Sequence, residues 1–101
     1  MTSTSYKLAF TDKAAKDWRK LDPSLKNKFT RKLEERLSNP RVPSAALHGM
    51  RDCYKIKLRD DGYRLIYQVL DRRVMVMVIS IGKRDGGDAY MEAERLLKDL
   101  D

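Results

Sequence analysis

Two lysines on alternate positions of one short segment, with an arginine shortly after them, are the residues best suited to chemistry. Lys55 and Lys57 stand in CYKIKL, and Arg64 stands in GYRL, directly after an Asp-Gly pair. Alternate residues of a β-strand point to the same face of a sheet. The spacing therefore predicts several cations on one face, which self-repulsion disfavours unless the face binds an anion such as phosphate.

A second polar group is expected at the same corner of the sheet. The segment ISIGKR ends in Lys83 and Arg84, and Tyr90 follows in the first turn of a predicted helix. If Ile81 pairs with Arg64, Lys83 and Arg84 come close to the strand lysines. An aromatic ring there can stack on a nucleic-acid base, which contributes roughly 1–3 kcal/mol per base in single-strand recognition.

The residue types favour metal-free phosphodiester chemistry. One histidine, one cysteine and carboxylates without ligand spacing offer no Mg²⁺ or Zn²⁺ pattern, and no cofactor is expected. In RNA the 2′-hydroxyl is an internal nucleophile, so a cation cluster needs only to align it, remove its proton, stabilise the phosphorane and assist the leaving 5′-oxygen. The base would be Lys55 or Lys57, with a pKa lowered by neighbouring cations. His48, just before the cationic strand, is an accessory candidate, although a lone loop histidine is more often incidental.

The element that must position these cations is a β-hairpin. Asp61-Gly62 predicts a two-residue type I′ turn, which pairs Leu58 with Leu65 and Arg59 with Arg64. This register gives the hairpin an apolar face and a cationic face. The apolar face holds Tyr54, Ile56, Leu58, Leu65, Tyr67 and Val69, and the cationic face holds Lys55, Lys57, Arg59, Arg64 and Gln68.

The segments before the hairpin predict a strand and two helices. The strand runs over 6–10, with Tyr6, Leu8 and Phe10 inward. A helix from Asp12 to about Leu21 follows the N-cap Thr11, and a second helix opens at Asp22-Pro23 and stops at Asn39-Pro40.

After the hairpin, a two-residue turn at Arg72-Arg73 should lead into a buried strand from Val74 to Ile81, and a helix over 88–101 should cover the apolar half of the cationic face. The expected fold is a single α+β domain over 1–101. Its mainly antiparallel four-stranded sheet carries the two N-terminal helices on one face and the C-terminal helix near the opposite, cationic face.

Charge indicates a polyanionic partner. The 22 Lys and Arg outnumber the 15 Asp and Glu, for a net charge of +7, which favours nucleic acid over an anionic membrane surface. Basic residues cover the outer helix faces and are equally consistent with solvated surface and with a phosphate-docking surface. They are Lys13, Lys16, Arg19, Lys20, Lys26, Lys28, Arg31, Lys32 and Arg36.

Cysteine content and hydropathy indicate a cytoplasmic protein. The lone Cys53 excludes an internal disulfide and is expected to be a small buried residue. The N-terminal segment lacks a long apolar stretch behind basic residues, and no apolar run approaches the roughly 20 residues of a spanning helix.

The segments DCYKIKLRDDGYRLIYQV and VISIGKR, with WRKLD, KLEERLSNPR and LHGMRDCYKIKL before them, closely resemble the RelE toxins of the RelE/ParE superfamily. The resemblance covers nearly the whole chain and implies a RelE-like, microbial-RNase-type fold and a type II toxin that cleaves mRNA in the ribosomal A site. It implies catalytic roles for Lys55 and Lys57, with the second favoured as base, a transition-state role for Arg64, an acid role for Arg84 and a stacking role for Tyr90. Because arginine is effectively always protonated, Arg84 is better suited to clamp the phosphate than to donate a proton, and the general acid stays open between Arg84 and His48.

The resemblance also implies partners: a RelB-type antitoxin, the ribosome with its rRNA and mRNA, and operator DNA through the antitoxin complex. Two departures from the family pattern stand out, His48 in place of an arginine and the link Asp85-Gly86-Gly87 before Tyr90. His48 is therefore expected to tune the rate or the pH dependence without being essential. The alternatives are a ParE-like gyrase poison on the same fold and a non-catalytic ribosome- or RNA-binding module.

Overall fold

The computed structural model describes residues 5–83. Its elements are β1 (Lys7–Phe10), α1 (Asp12–Lys20), α2 (Pro23–Ser38), β2 (Cys53–Leu58), β3 (Tyr63–Leu70) and β4 (Met75–Lys83), with short 3₁₀ turns at Pro43–Ala45 and Asp71–Arg73. The four-stranded sheet has the order β1-β4-β3-β2, with β1 parallel to β4 and the other pairs antiparallel. The predicted α+β fold is confirmed. The helix predicted over 88–101, with Arg84 and Tyr90, lies outside the described residues.

Both helices begin where their capping residues predict. The Thr11 hydroxyl accepts a hydrogen bond from the Ala14 amide, and the Asp22 carboxylate accepts one from the Leu25 amide, ahead of a proline in the first turn. Each cap satisfies an amide that has no partner within its helix.

The core lies between the two helices and one face of the sheet. Its helix side is formed by Ala14, Leu21, Leu25, Phe29 and Leu33. Its sheet side contains the predicted apolar face of the hairpin together with Val76, Val78 and Ile81. The opposite sheet face carries a smaller buried cluster of Cys53, Ile66 and Ile79, against which Leu47 and Met50 pack.

The register predicted for the first hairpin is wrong by two residues. Tyr63 pairs with Leu58, and Arg64 pairs with Lys57 rather than with Arg59. Of Asp61 and Gly62, only Gly62 has a positive φ, of 70°, so the type I′ turn does not form. The amides of Asp61 and Gly62 both donate to the Leu58 carbonyl, which closes a longer loop. A shift of two residues preserves the side-chain alternation, so the predicted faces are correct.

The second hairpin matches its predicted register for half of its length. Val76 pairs with Val69 and Val78 with Tyr67, but Ser80 then pairs with Ile66, so that Ile79 is an extra residue in β4. This β-bulge shifts the remainder of the strand by one residue. The prediction that Ile81 pairs with Arg64 is wrong: Ile81 pairs with Leu65 on the core side. The turn is also longer than predicted, with Asp71–Arg73 in a 3₁₀ turn and Val74 left-handed at φ 50°.

The edge strand β1 is less buried than its alternation predicts. Tyr6 and Phe10 pack against the core, but Leu8 is 40% exposed. Since β1 is the outermost strand, Leu8 lies beside an open groove of about 250 Å³ that Trp18 and Leu37 also line.

Candidate active site on the cationic sheet face

Strand β2 places Lys55 and Lys57 on the sheet face away from the helices. Tyr54, Ile56 and Leu58 are buried in the core, whereas the two lysines between them are half-buried. Because burial of the intervening side chains fixes the strand's orientation, both ammonium groups must lie on the cationic face.

Arg64 lies directly opposite Lys57 across the hairpin. Directly paired residues of antiparallel strands have Cβ atoms roughly 4.5–5.5 Å apart, so the observed register brings Arg64 closer to the lysines than the predicted register does. We call Lys55, Lys57 and Arg64 the strand cluster.

The strand cluster changes the protonation equilibrium of Lys57. Its pKa is lowered from the ordinary lysine value, first by the charge of Lys55 and then by partial desolvation, with further contributions from Arg64 and Arg59. A lysine with a lowered pKa carries a larger fraction of the neutral amine, which can accept a proton. The lowered pKa of Lys57 suits the role of base that the family resemblance implies for it.

The end of β4 places a glycine beside Arg64 on the cationic face. Gly82 is the residue paired with Arg64, and Lys83 pairs with Tyr63. Tyr63 packs against the helix-side core, so the register directs Lys83 away from the strand cluster, to an exposed position at the end of the strand. Among the residues described, the predicted site is therefore assembled from β2 and β3, while Arg84 and Tyr90 lie beyond the described range.

His48 is exposed in the connection before β2. Its neighbours Leu47 and Met50 pack against Cys53, Ile66 and Ile79 on the cationic side of the sheet. These two apolar anchors hold the histidine-bearing connection on the same side of the sheet as the strand cluster.

Arg36 does not belong to the outer helix surface where it was predicted. Its Nη1 donates hydrogen bonds to the Lys55 carbonyl at 3.2 Å and to the Tyr67 hydroxyl at 2.9 Å, and the guanidinium lies 5.8 Å from the Tyr67 ring centroid. The Tyr67 hydroxyl donates to the Pro40 carbonyl at 2.6 Å. Arg36 thus ties α2 to the backbone of the catalytic candidate Lys55. The sequence carried a signal for this, since Arg36 follows Leu33 by three residues and borders the apolar stripe of α2.

The other helix cations divide into two groups. In α1, Lys16, Arg19 and Lys20 are exposed, and Lys13 pairs with Asp17 at 2.6 Å. In α2, partly buried Lys26 lies apart from a cleft of about 580 Å³ between the helix and the hairpin tip. This cleft is lined by Lys28, Arg31, Lys32, Glu35, Lys57, Leu58, Arg59, Asp60 and Asp61. We call it the α2 cleft, and through Lys57 it is continuous with the strand cluster.

A network around Arg41 was not predicted. Its guanidinium donates to Asp52 at 3.0 Å, to Asp71 at 2.6 Å and to the Tyr54 hydroxyl at 3.2 Å. The Tyr6 hydroxyl donates to Asp71 at 2.8 Å. The network links the connection before β2 to the β3–β4 turn. No short sequence motif predicts it, because its members are distant along the chain.

Cys53 is 1% exposed, as predicted for a small buried residue. Burial raises the pKa of its thiol to about 12. The thiol therefore remains protonated near neutral pH and is unsuited to act as a nucleophile or a metal ligand.

Residues 5–83 contain neither a metal-ligand cluster nor a helix that could span a membrane. In that range no three His, Cys, Asp or Glu side chains gather where they could hold a metal ion. None of the helices described there has the length and apolar character needed to span a membrane.

Comparison with known protein families gives one match over most of the chain. A family model described as the ParE toxin of the type II toxin–antitoxin system parDE matches residues 8–86. Among curated proteins, the chain is 51% identical over 89 residues to the mRNA interferase toxin RelE of Escherichia coli K12, covering 88% of this chain and 94% of that protein. It is equally similar to the mRNA interferase RelE of Shigella flexneri.

Solved structures give the same result. An E. coli RelE mutant in the free state aligns with a TM-score of 0.85 and 48% identity, covering 90% of this chain and 96% of that one. RelE in the intact E. coli RelBE toxin–antitoxin complex aligns with a TM-score of 0.77 and 52% identity, over 78% of this chain and 96% of that one.

Proposed function

The chain belongs to the RelE/ParE superfamily of type II toxin–antitoxin toxins, and from this premise we propose that it is an mRNA interferase that cleaves mRNA in the ribosomal A site. The relatives that match it at 51% identity are named mRNA interferases. The observation that carries the proposal is the strand cluster, because Lys57 lies opposite Arg64 and has a lowered pKa.

In the proposed reaction the neutral amine of Lys57 removes the proton of the 2′-hydroxyl. The hydroxyl oxygen then attacks the adjacent phosphorus to form a 2′,3′-cyclic phosphate, and the bond to the 5′-oxygen breaks as that oxygen takes a proton from the general acid, for which Arg84 and His48 are the two candidates. Lys55 and Arg64 stabilise the additional negative charge of the phosphorane. A positioned general base of this kind typically contributes about 10²- to 10⁴-fold in rate.

Arg84 and Tyr90 complete the proposed site by resemblance to the family. Arg84 clamps the phosphate, since a guanidinium keeps its proton at physiological pH and is a weak general acid. Tyr90 stacks on a base beside the scissile phosphate. His48, carried by the connection that packs on the same side of the sheet, assists the reaction without being essential.

The α2 cleft supports binding of an RNA backbone next to the site. Arg31 and Lys32 line it together with Lys57, and Lys28 is ion-paired there with Asp61 at 2.8 Å. A phosphate chain that reaches the base can therefore continue along α2 over Arg31 and Lys32. The exposed cations of α1 form a separate patch that suits ribosomal RNA. Neutralising phosphates in this way releases counterions, so the affinity for ribosomes should fall steeply with salt, and a flat salt dependence would contradict the docking role.

The proposed partners follow from the relatives. Solved complexes of RelE with RelB antitoxins, among them the E. coli RelBE complex, show that antitoxins of this type bind this fold. We propose that a RelB-type antitoxin neutralises this chain in the cytoplasm and carries the complex to operator DNA.

Primer extension on translated mRNA tests the proposal. The unmodified chain should produce A-site cuts that disappear in Lys57→Ala and Arg64→Ala. Arg73→Ala is the matched control, because Arg73 is an exposed cation in the β3–β4 turn, and it should cut normally. Since the family model carries the ParE name, DNA damage with intact mRNA would instead indicate a gyrase poison. Ribosome binding without any cuts would indicate a non-catalytic module.

A further inference from the structure

The β-bulge in β4 lies where that strand loses its neighbour β1. Phe10 pairs with Val78, and the Thr11 amide donates to the Val78 carbonyl at 3.0 Å. The chain then turns into α1, so within residues 5–83 the outer edge of β4 beyond Val78 has no partner strand. Ile79, the extra residue of the bulge, is the next residue along this edge.

The side chains of the N-cap Thr11 and of Asp17 in α1 form hydrogen bonds with this edge in place of a partner strand. The Thr11 hydroxyl donates to the Ile79 carbonyl at 3.1 Å, and Asp17 Oδ2 accepts from the Ile81 amide at 3.4 Å. A bulge disrupts the ladder and leaves backbone groups that need other partners. Thr11 and Asp17 supply those partners on the two sides of Ser80.

Asp17 is more buried than a surface ion pair requires. Its side chain is 10% exposed, and its Oδ1 accepts from Lys13 at 2.6 Å while Oδ2 faces the strand. An exposed ion pair within one helix contributes little to stability. The carboxylate bridges α1 and β4, and Lys13 neutralises its charge.

The sequence of β4 distinguishes the bulged from the regular register chiefly at Ser80. Its run VMVIS offers apolar side chains to both faces, and such strands specify register weakly. In a regular ladder, Ile81 would face Arg64 and Ser80 would enter the core. With the bulge, Gly82 is the residue paired with Arg64 instead, and a glycine adds no side chain of its own at that position.

We propose that Asp17 is a positioning residue for the active site: with Thr11 it holds the bulge that sets Gly82, rather than Ile81, beside Arg64. This inference rests on the proposed function for its catalytic consequence, while the register itself can be observed separately. Without the Asp17 acceptor, β4 slips by one residue and Ile81 blocks the anion position. Misplacement on this scale can cost on the order of 100-fold in rate.

The experiment compares Asp17→Ala, Asp17→Asn and Asp12→Ala in the full chain, using primer extension, thermal unfolding and NMR contacts across β3 and β4. Asparagine keeps an oxygen acceptor, so Asp17→Asn should stay within about threefold of the unmodified chain, as expected when a single hydrogen bond is preserved. Asp17→Ala should fold, lose roughly 10- to 100-fold in cleavage, and replace the Leu65–Ile81 contact with a Leu65–Ser80 contact. Asp12, an exposed carboxylate in the first turn of α1, controls for helix charge and should have no effect.

The outcomes separate the proposals. Normal cleavage by Asp17→Ala, or equal loss in Asp17→Asn, overturns the positioning role. If the unmodified chain cleaves no mRNA, the proposed function fails, and an unchanged Leu65–Ile81 contact in Asp17→Ala overturns the inference independently. If Asp17→Ala does not fold, the variant Gly82→Val tests the bulged register instead. Lost cleavage at unchanged stability supports that register, and normal cleavage overturns it.

Discussion

Replacing Tyr67 with phenylalanine should destabilise the fold far more than the same change at its stacked neighbour Tyr54. The two rings lie 5.7 Å apart, and each hydroxyl accepts a hydrogen bond from an arginine, Arg36 for Tyr67 and Arg41 for Tyr54. Only the Tyr67 hydroxyl also donates to a buried carbonyl, that of Pro40, at 2.6 Å. The substitution therefore removes one oxygen that serves two buried groups.

The magnitude follows from those two contacts. A hydrogen bond to a charged partner contributes about 1.5–3 kcal/mol, and a buried acceptor left unsatisfied costs about 1–3 kcal/mol. Because Arg36 keeps the Lys55 carbonyl as an acceptor, the low end of each range applies, which gives roughly 2.5 kcal/mol in the free energy of unfolding. In a domain of this size that corresponds to a loss of roughly 10–20 °C in Tm.

Urea unfolding and thermal melts followed by circular dichroism measure the effect. Tyr54→Phe is the matched control, because Arg41 retains Asp52 and Asp71 and its side chain is 39% exposed, and it should cost under about 1 kcal/mol. Equal destabilisation by the two variants would refute the reasoning, as would an unchanged Tm for Tyr67→Phe.

Three other predictions concern the site and its supporting turns. Arg59→Gln removes one of the cations that, with Lys55 and Arg64, lower the pKa of Lys57. The pKa of Lys57 should therefore rise, and the acid limb of the cleavage–pH profile should move to higher pH. A shift of that limb to lower pH would contradict Lys57 as the base. Gly62→Ala should lower the free energy of unfolding in urea by about 1–2 kcal/mol, because the φ of Gly62 is 70°. An added Cβ would meet nothing within 4 Å, so the cost comes from backbone conformation alone. An unchanged free energy of unfolding would exclude the left-handed turn. The Cys53 thiol should resist a disulfide reagent in the folded protein and react fully in denaturant, since burial raises its pKa to about 12; rapid reaction in native buffer would mean that this sheet face opens readily.

The sequence predicted the elements and faces of this fold because those depend on local patterns. Thr11 and Asp22 predicted where the helices begin, and the alternation around Lys55 and Lys57 predicted the two faces of the hairpin. These features survive a shift of two residues in register, so the cationic face was predicted correctly although the partner of Arg64 was wrong.

What the sequence could not supply depends on contacts between distant segments. The bulge at Ile79 is matched by Thr11 and Asp17, which lie more than sixty positions earlier. The position of Arg36 at the border of the apolar stripe of α2 indicated partial burial, but its partner Tyr67 lies 31 residues away and no local pattern names it. In each case a local pattern allowed two arrangements, and a tertiary hydrogen bond selected between them.

The parallel pairing of β1 with β4 has a consequence for the order of folding. Thr11 and Ile79 are 68 residues apart and yet in contact, whereas the two antiparallel hairpins join neighbours along the chain. Closing a long loop delays non-local pairing, so β2, β3 and β4 should associate before β1 docks. On a translating ribosome, β1 and α1 must wait for β4 to emerge. The nascent chain therefore cannot complete its four-stranded sheet until β4 has been synthesised.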